Sequence, residues 1–138
     1  MGFWYPSSQL AFYSPTPPNP DSSSIFYFEA LCVLCALSDA VPRLDRPARV
    51  VIYMDNLNSV QMFNSLSCLP AYNHLLRRCV DILLANEVQL RVLHIPGEQN
   101  IVADALSRCQ FSSALASVPE LSISPFQPPR WTLGAAEK

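Results

Sequence analysis

Apolar residues in this chain fall into short aromatic or β-branched blocks and longer stretches with helical spacing. Residues 2–5 and 9–13 are short and aromatic, parted by Pro6-Ser7-Ser8, and predict a hairpin. The run 14–20 holds Pro15, Pro17, Pro18 and Pro20, each without a backbone donor, and predicts an extended linker. Ser22, Ser23 and Ser24 offer N-caps for a helix reaching about Ala40, with Pro42 as its stop. That helix is apolar on nearly every side, which predicts burial against a sheet. After a polar loop at 43–47, the β-branched run 49–54 has the character of a covered parallel strand.

Residues 56–66 predict a short helix with Val60, Phe63 and Leu66 on its apolar side, broken at Leu69-Pro70. In 71–86, Leu75, Leu76, Cys79, Ile82 and Leu83 recur at three and four, an amphipathic helix. Residues 90–95 predict a strand halted by Pro96-Gly97, and 100–109 a last helix. Beyond Gln110 the chain is Ser- and Pro-rich without sustained period, which predicts a flexible tail. The order of elements calls for an α/β fold in which strands 49–54 and 90–95 are parallel neighbours. The domain is expected at 1–108 and the tail at 109–138.

Composition narrows the function classes. A chain of 138 residues fits one domain; 50% hydrophobic content supplies a core, while 14% charged is low against about 25% for soluble domains. A formal charge of −2 excludes general attraction to phosphate backbones. The basic residues, nearly all Arg, gather loosely at Arg43, Arg46 and Arg49 and at Arg77-Arg78. They serve as solvated surface or as a local phosphate grip. Five cysteines, an odd number, and no signal-like start predict free thiols and an intracellular protein. Cys32-x-x-Cys35 lies in an apolar helical run and reads as small buried hydrophobes. The uncharged stretch 30–38 falls short of the roughly 20 apolar residues of a membrane span, so no membrane partner is expected.

Three acids sit at the edges of apolar elements. Glu29 lies among Phe26, Phe28, Leu31, Val33 and Leu34, where an ionised carboxylate needs a cation, hydrogen bonds or a solvent edge. Asp55 ends the strand 49–54 and serves equally as a cap for the helix beginning near Asn56. Asp104 stands near the start of the last helix, where the helix dipole alone favours an acid. His94, ahead of it, reads either as a site residue or as a strand-end hydrogen-bonding histidine.

The order Glu29, Asp55, His94, Asp104 resembles the ribonuclease H domain that follows reverse transcriptase in retroelements. The phrase His94-Ile95-Pro96-Gly97, then Asn100, then Ala103-Asp104-Ala105-Leu106-Ser107-Arg108, is similar to the end of that domain in gypsy-type and tyrosine-recombinase retroelements. Residues 53–60, from Tyr53-Met54-Asp55-Asn56 onward, resemble its central strand and the following helix start. The likeness spans about 2–108, and 128–134 looks like the connector placed after the domain.

The resemblance implies a mixed sheet flanked by helices and hydrolysis of the RNA strand of an RNA–DNA hybrid by two magnesium (or manganese) ions. Glu29 and Asp55 would share one ion and Asp104 would face the other. His94 would assist proton traffic or product release, and Asn56 is the polar candidate for nucleic-acid contact. The family's first, central strand carries an aspartate that bridges both ions. Here no acid precedes Asp21, and 1–5 look like the family's second strand. The expectation is therefore a fold truncated at that strand, Met1 as an internal methionine of a longer frame, weak magnesium binding and no catalysis. The hairpin is expected to move across and pair with strand 49–54. The alternative is a recruited protein- or nucleic-acid-interaction module, with self-association through an exposed sheet edge.

Overall fold

The computed structural model describes residues 1–16, 22–68 and 70–128. The N-terminal hairpin is as expected: β1 (Gly2–Tyr5) pairs antiparallel with β2 (Leu10–Tyr13), and Gln9 takes a positive φ of 57° at the turn. A long helix, α1 (Ser22–Ala40), passes through a 3-10 turn at Val41–Arg43 where Pro42 removes a donor. Then β3 (Ala48–Met54), α2 (Leu57–Ser65) and α3 (Asn73–Asn86) follow, with β4 (Val88–His94) returning beside β3. The two strands are parallel and in continuous register from Ala48↔Val88 to Met54↔His94. A connection through two helices is long enough for such a crossover.

Alternation along β3 and β4 decides which face is covered. Val88 and Val92 of β4 and Met54 of β3 are buried, while Arg49, Val51, Tyr53, Gln89 and Arg91 are exposed. The core lies under that covered face, where Leu31, Leu34 and Leu37 of α1 meet Leu75, Leu76 and Cys79 of α3. α1 also meets the length and composition of a membrane span over Ile25–Arg43, at a mean hydropathy of 1.6. In this fold Tyr27, Leu31, Val33, Leu34 and Leu37 are core positions of that segment, while Ile25 is exposed.

Three expectations are corrected. The tail expected without regular structure carries α5 (Phe111–Ser117), just after α4 (Ile101–Ser107), and a strand, β5 (Ser122–Pro125). β5 pairs parallel with β2, from Leu10↔Ser122 to Tyr13↔Pro125. Its sequence hid because a four-residue strand and a two-turn helix are too short to show a period. Leu121 and Ala114 nevertheless bury against Ala11, Val102, Ala105 and Leu106 in a second small core. Second, the expected single mixed sheet is two sheets, β1-β2-β5 and β3-β4. Third, the hairpin does not pair with β3 among the described residues, so the edges of β1 and β3 stay apart. The connector-like residues 129–134 lie outside the described residues.

Candidate functional site

The space between the two sheets is a groove of about 840 Å³. One wall is β1, the other is the open edge of β3, and Phe28, Glu29, Cys32 and Val33 of α1 form the floor. One end is closed by Asp55 and by the stretch from Ile95 to Arg108. Two contacts orient β1 along α1: the Cys32 thiol donates to the Gly2 carbonyl at 3.4 Å, and the Tyr5 hydroxyl donates to Asp39 Oδ2 at 2.6 Å. Gly2 therefore lies toward the closed, acidic end and Tyr5 toward the far end. β3 runs the opposite way, finishing at Asp55.

All three acids singled out in the sequence line this groove at its closed end. Glu29 arrives from α1, Asp55 from the end of β3, and Asp104 from α4. Burial pushes the Glu29 carboxyl above its ordinary range, and the neighbouring Asp55 charge adds to this. A hydrogen bond from Asn56 opposes both by favouring the ionised form. Glu29 Oε2 is nevertheless buried with no hydrogen-bond partner. The loop at Gly97 lies against Asp55, since a Cβ there would stand 3.6 Å from Asp55 Oδ2.

The other expected residues are occupied in ways the sequence left open. Asn56 is the N-cap of α2, its Oδ1 accepting from the Ser59 amide at 2.9 Å, so Asn56 rather than Asp55 caps that helix. His94 is exposed, with Nε2 3.2 Å from the Asp55 carbonyl oxygen. A carbonyl can only accept, so that bond needs the proton on Nε2. Asp104 is exposed and held by Arg108, with Nε 3.2 Å from Oδ1 one helical turn on. The i, i+4 spacing of Asp104 and Arg108 is the sequence signal of that pairing.

The donors present suit a hard cation in part. Glu29 and Asp55 are neighbouring carboxylates, and the orphaned Glu29 oxygen is the kind of atom an ion satisfies. Among the described residues, however, no group of three or more His, Cys, Asp or Glu side chains is close enough to share one metal ion. Asp104 thus lines the same groove without joining the Glu29–Asp55 pair. The cysteines are free thiols; burial raises Cys32 and Cys79 to about 11 and Cys35 to about 12, which makes them inert. Cys109 is exposed.

No family model, curated protein or solved structure matches this chain.

Proposed function

We propose that this chain is a ribonuclease H-like domain of retroelement origin that keeps an acidic, weakly cation-binding corner and does not hydrolyse nucleic acid. One observation carries the reading: acids from a helix, a strand end and a last helix, far apart in sequence, line the same end of one groove. The parallel β3–β4 pair and the motif from His94 to Arg108 support it.

A magnesium ion at such a corner would supply an activated water and a charge to stabilise the leaving oxygen. Glu29 and Asp55 would hold it, with the Asn56 hydrogen bond favouring ionised Glu29 against the larger effects of burial and the Asp55 charge. Asp104 stays engaged with Arg108, and His94 rests on the Asp55 carbonyl, so neither adds a ligand here. In-line displacement by the family's route needs two ions about 3.5–4 Å apart. The hairpin wall of the groove offers no carboxylate toward holding a second one, since residues 1–16 contain no Asp or Glu.

Calorimetric titration with magnesium should therefore give weak binding, weaker again for Asp55→Asn. An assay with an RNA–DNA hybrid should show no cutting by the purified chain. Magnesium-dependent cleavage that disappears with Asp104→Ala would overturn the claim of inactivity, and a flat magnesium titration would remove the cation corner.

A further inference from the structure

The groove has a second property that owes nothing to metal chemistry. Among the described residues β1 is bonded on one side to β2 and β3 on one side to β4, so each presents a free edge there, and residues of both strands line the same groove. In a ladder, alternate residues direct their N–H and C=O groups to each side, so a one-sided strand leaves half of these groups without a strand partner, and of these the Gly2 carbonyl accepts from the Cys32 thiol. The two edges run in opposite directions. A single extended segment between them would lie parallel to one and antiparallel to the other, joining both sheets into one.

We propose that this groove accepts a β-strand from another protein, an extended apolar peptide with a Lys or Arg at the end that meets Glu29 and Asp55. The floor under such a strand is apolar, with Phe28 and Val33 of α1, and this sets the character of its inward side chains. The closed end carries Glu29, Asp55 and Asp104 against one basic side chain, Arg108, already paired with Asp104. A cationic side chain placed there also satisfies the orphaned Glu29 Oε2. The same charge balance disfavours a phosphate backbone in the groove.

Among the described residues, the strands of a second copy are poor occupants for a topological reason. A strand bridging β1 and β3 needs both of its edges free. Every strand among the described residues already has at least one edge bonded to a neighbour. The occupant is instead a segment that is unpaired before it docks, the situation in which main-chain bonds supply affinity and alternate side chains supply specificity.

The test uses the full chain and labelled synthetic peptides about as long as the seven residues of β3, alternating valine and threonine, with one lysine at the first or last position. Fluorescence anisotropy should show binding by one of the two, since the lysine must reach the acidic end. Changing that lysine to glutamate, or using Glu29→Gln with Asp55→Asn, should weaken binding by at least about tenfold. Methylating alternate peptide amides should abolish it, and hydrogen exchange should slow at amides of β1 and β3. The proposal is overturned if neither peptide binds, if methylation leaves binding intact, or if protection appears elsewhere. It is equally overturned if light scattering shows that the chain alone is a dimer with β3 amides already protected. Magnesium plays no part in these measurements, so their failure leaves the cation corner to be judged by its own titration.

Discussion

The side-chain amide of Asn64 takes the place of a strand neighbour for Val92. Its Nδ2 donates to the Val92 carbonyl at 2.7 Å, and its Oδ1 accepts from the Val92 amide at 3.1 Å. Val92 is fully buried on β4, and the edge away from β3 has no strand partner among the described residues. One planar amide on α2 thus satisfies both backbone groups at that point and locks the helix to the sheet.

Asn64→Ala should cost about 2–4 kcal/mol in urea unfolding, because an unpaired buried donor and acceptor each carry about 1–3 kcal/mol. Asn64→Asp should recover only the half that accepts from the Val92 N–H. A loss below about 0.5 kcal/mol for the alanine variant would mean that water already serves this edge.

Gly2 is a close-approach glycine. A Cβ there would lie 2.5 Å from the Leu106 Cβ and 2.9 Å from the Ser107 amide nitrogen. Since the obstruction is backbone and a buried Cβ, Gly2→Ala should destabilise by about 1–3 kcal/mol, the range for overpacking. An unchanged thermal midpoint would show that β1 and α4 separate easily.

Glu29 sets a pH dependence whose sign is fixed by the upward shift of its carboxyl. Its protonated form is favoured more in the folded chain than in the unfolded one. That contribution to stability is complete below the ordinary value of an unfolded glutamate and is lost as pH rises through the higher folded value. Glu29→Gln should therefore raise the thermal midpoint at pH 7 and change it less at pH 4. Nuclear magnetic resonance titration of Asp55→Asn should show Glu29 ionising at lower pH than in the parent chain. The opposite order at either step would contradict the crowded-carboxylate geometry.

A stop after Gln110 distinguishes a structural C-terminal segment from a mere connector. It deletes Ala114 and Leu121 from the second core and β5 from the sheet. Stability should fall by about 2–5 kcal/mol, in line with the loss of large buried side chains. Amide exchange in β2 should accelerate. A passive connector would leave both unchanged.

Much of the frame was legible because its signals are long. The spacing of Leu75, Leu76, Cys79 and Ile82 marked α3, and the two β-branched runs marked the parallel pair. Proline and serine marked the ends of α1 through local backbone chemistry. β5 was not legible, since Ser-Ile-Ser-Pro is a strand only because β2 offers an edge and α5 brings it there. Nor was the separation of the two sheets, a matter of which edges meet in space. The three acids were found by their apolar surroundings. That Arg108 occupies Asp104 and Asn56 serves both a cap and Glu29 appears only when the elements are assembled.

The pairing of Leu10 with Ser122 has a consequence for the order of assembly. The β1–β2 hairpin closes over a few residues and can form within microseconds, whereas its third strand must be brought around from more than a hundred residues away. Until residues 122–125 are in place the hairpin is two-stranded, exposed along the side that β5 covers. The β2–β5 contact thus closes across more than a hundred residues, and until it forms the folding chain is open to aggregation along the free side of β2.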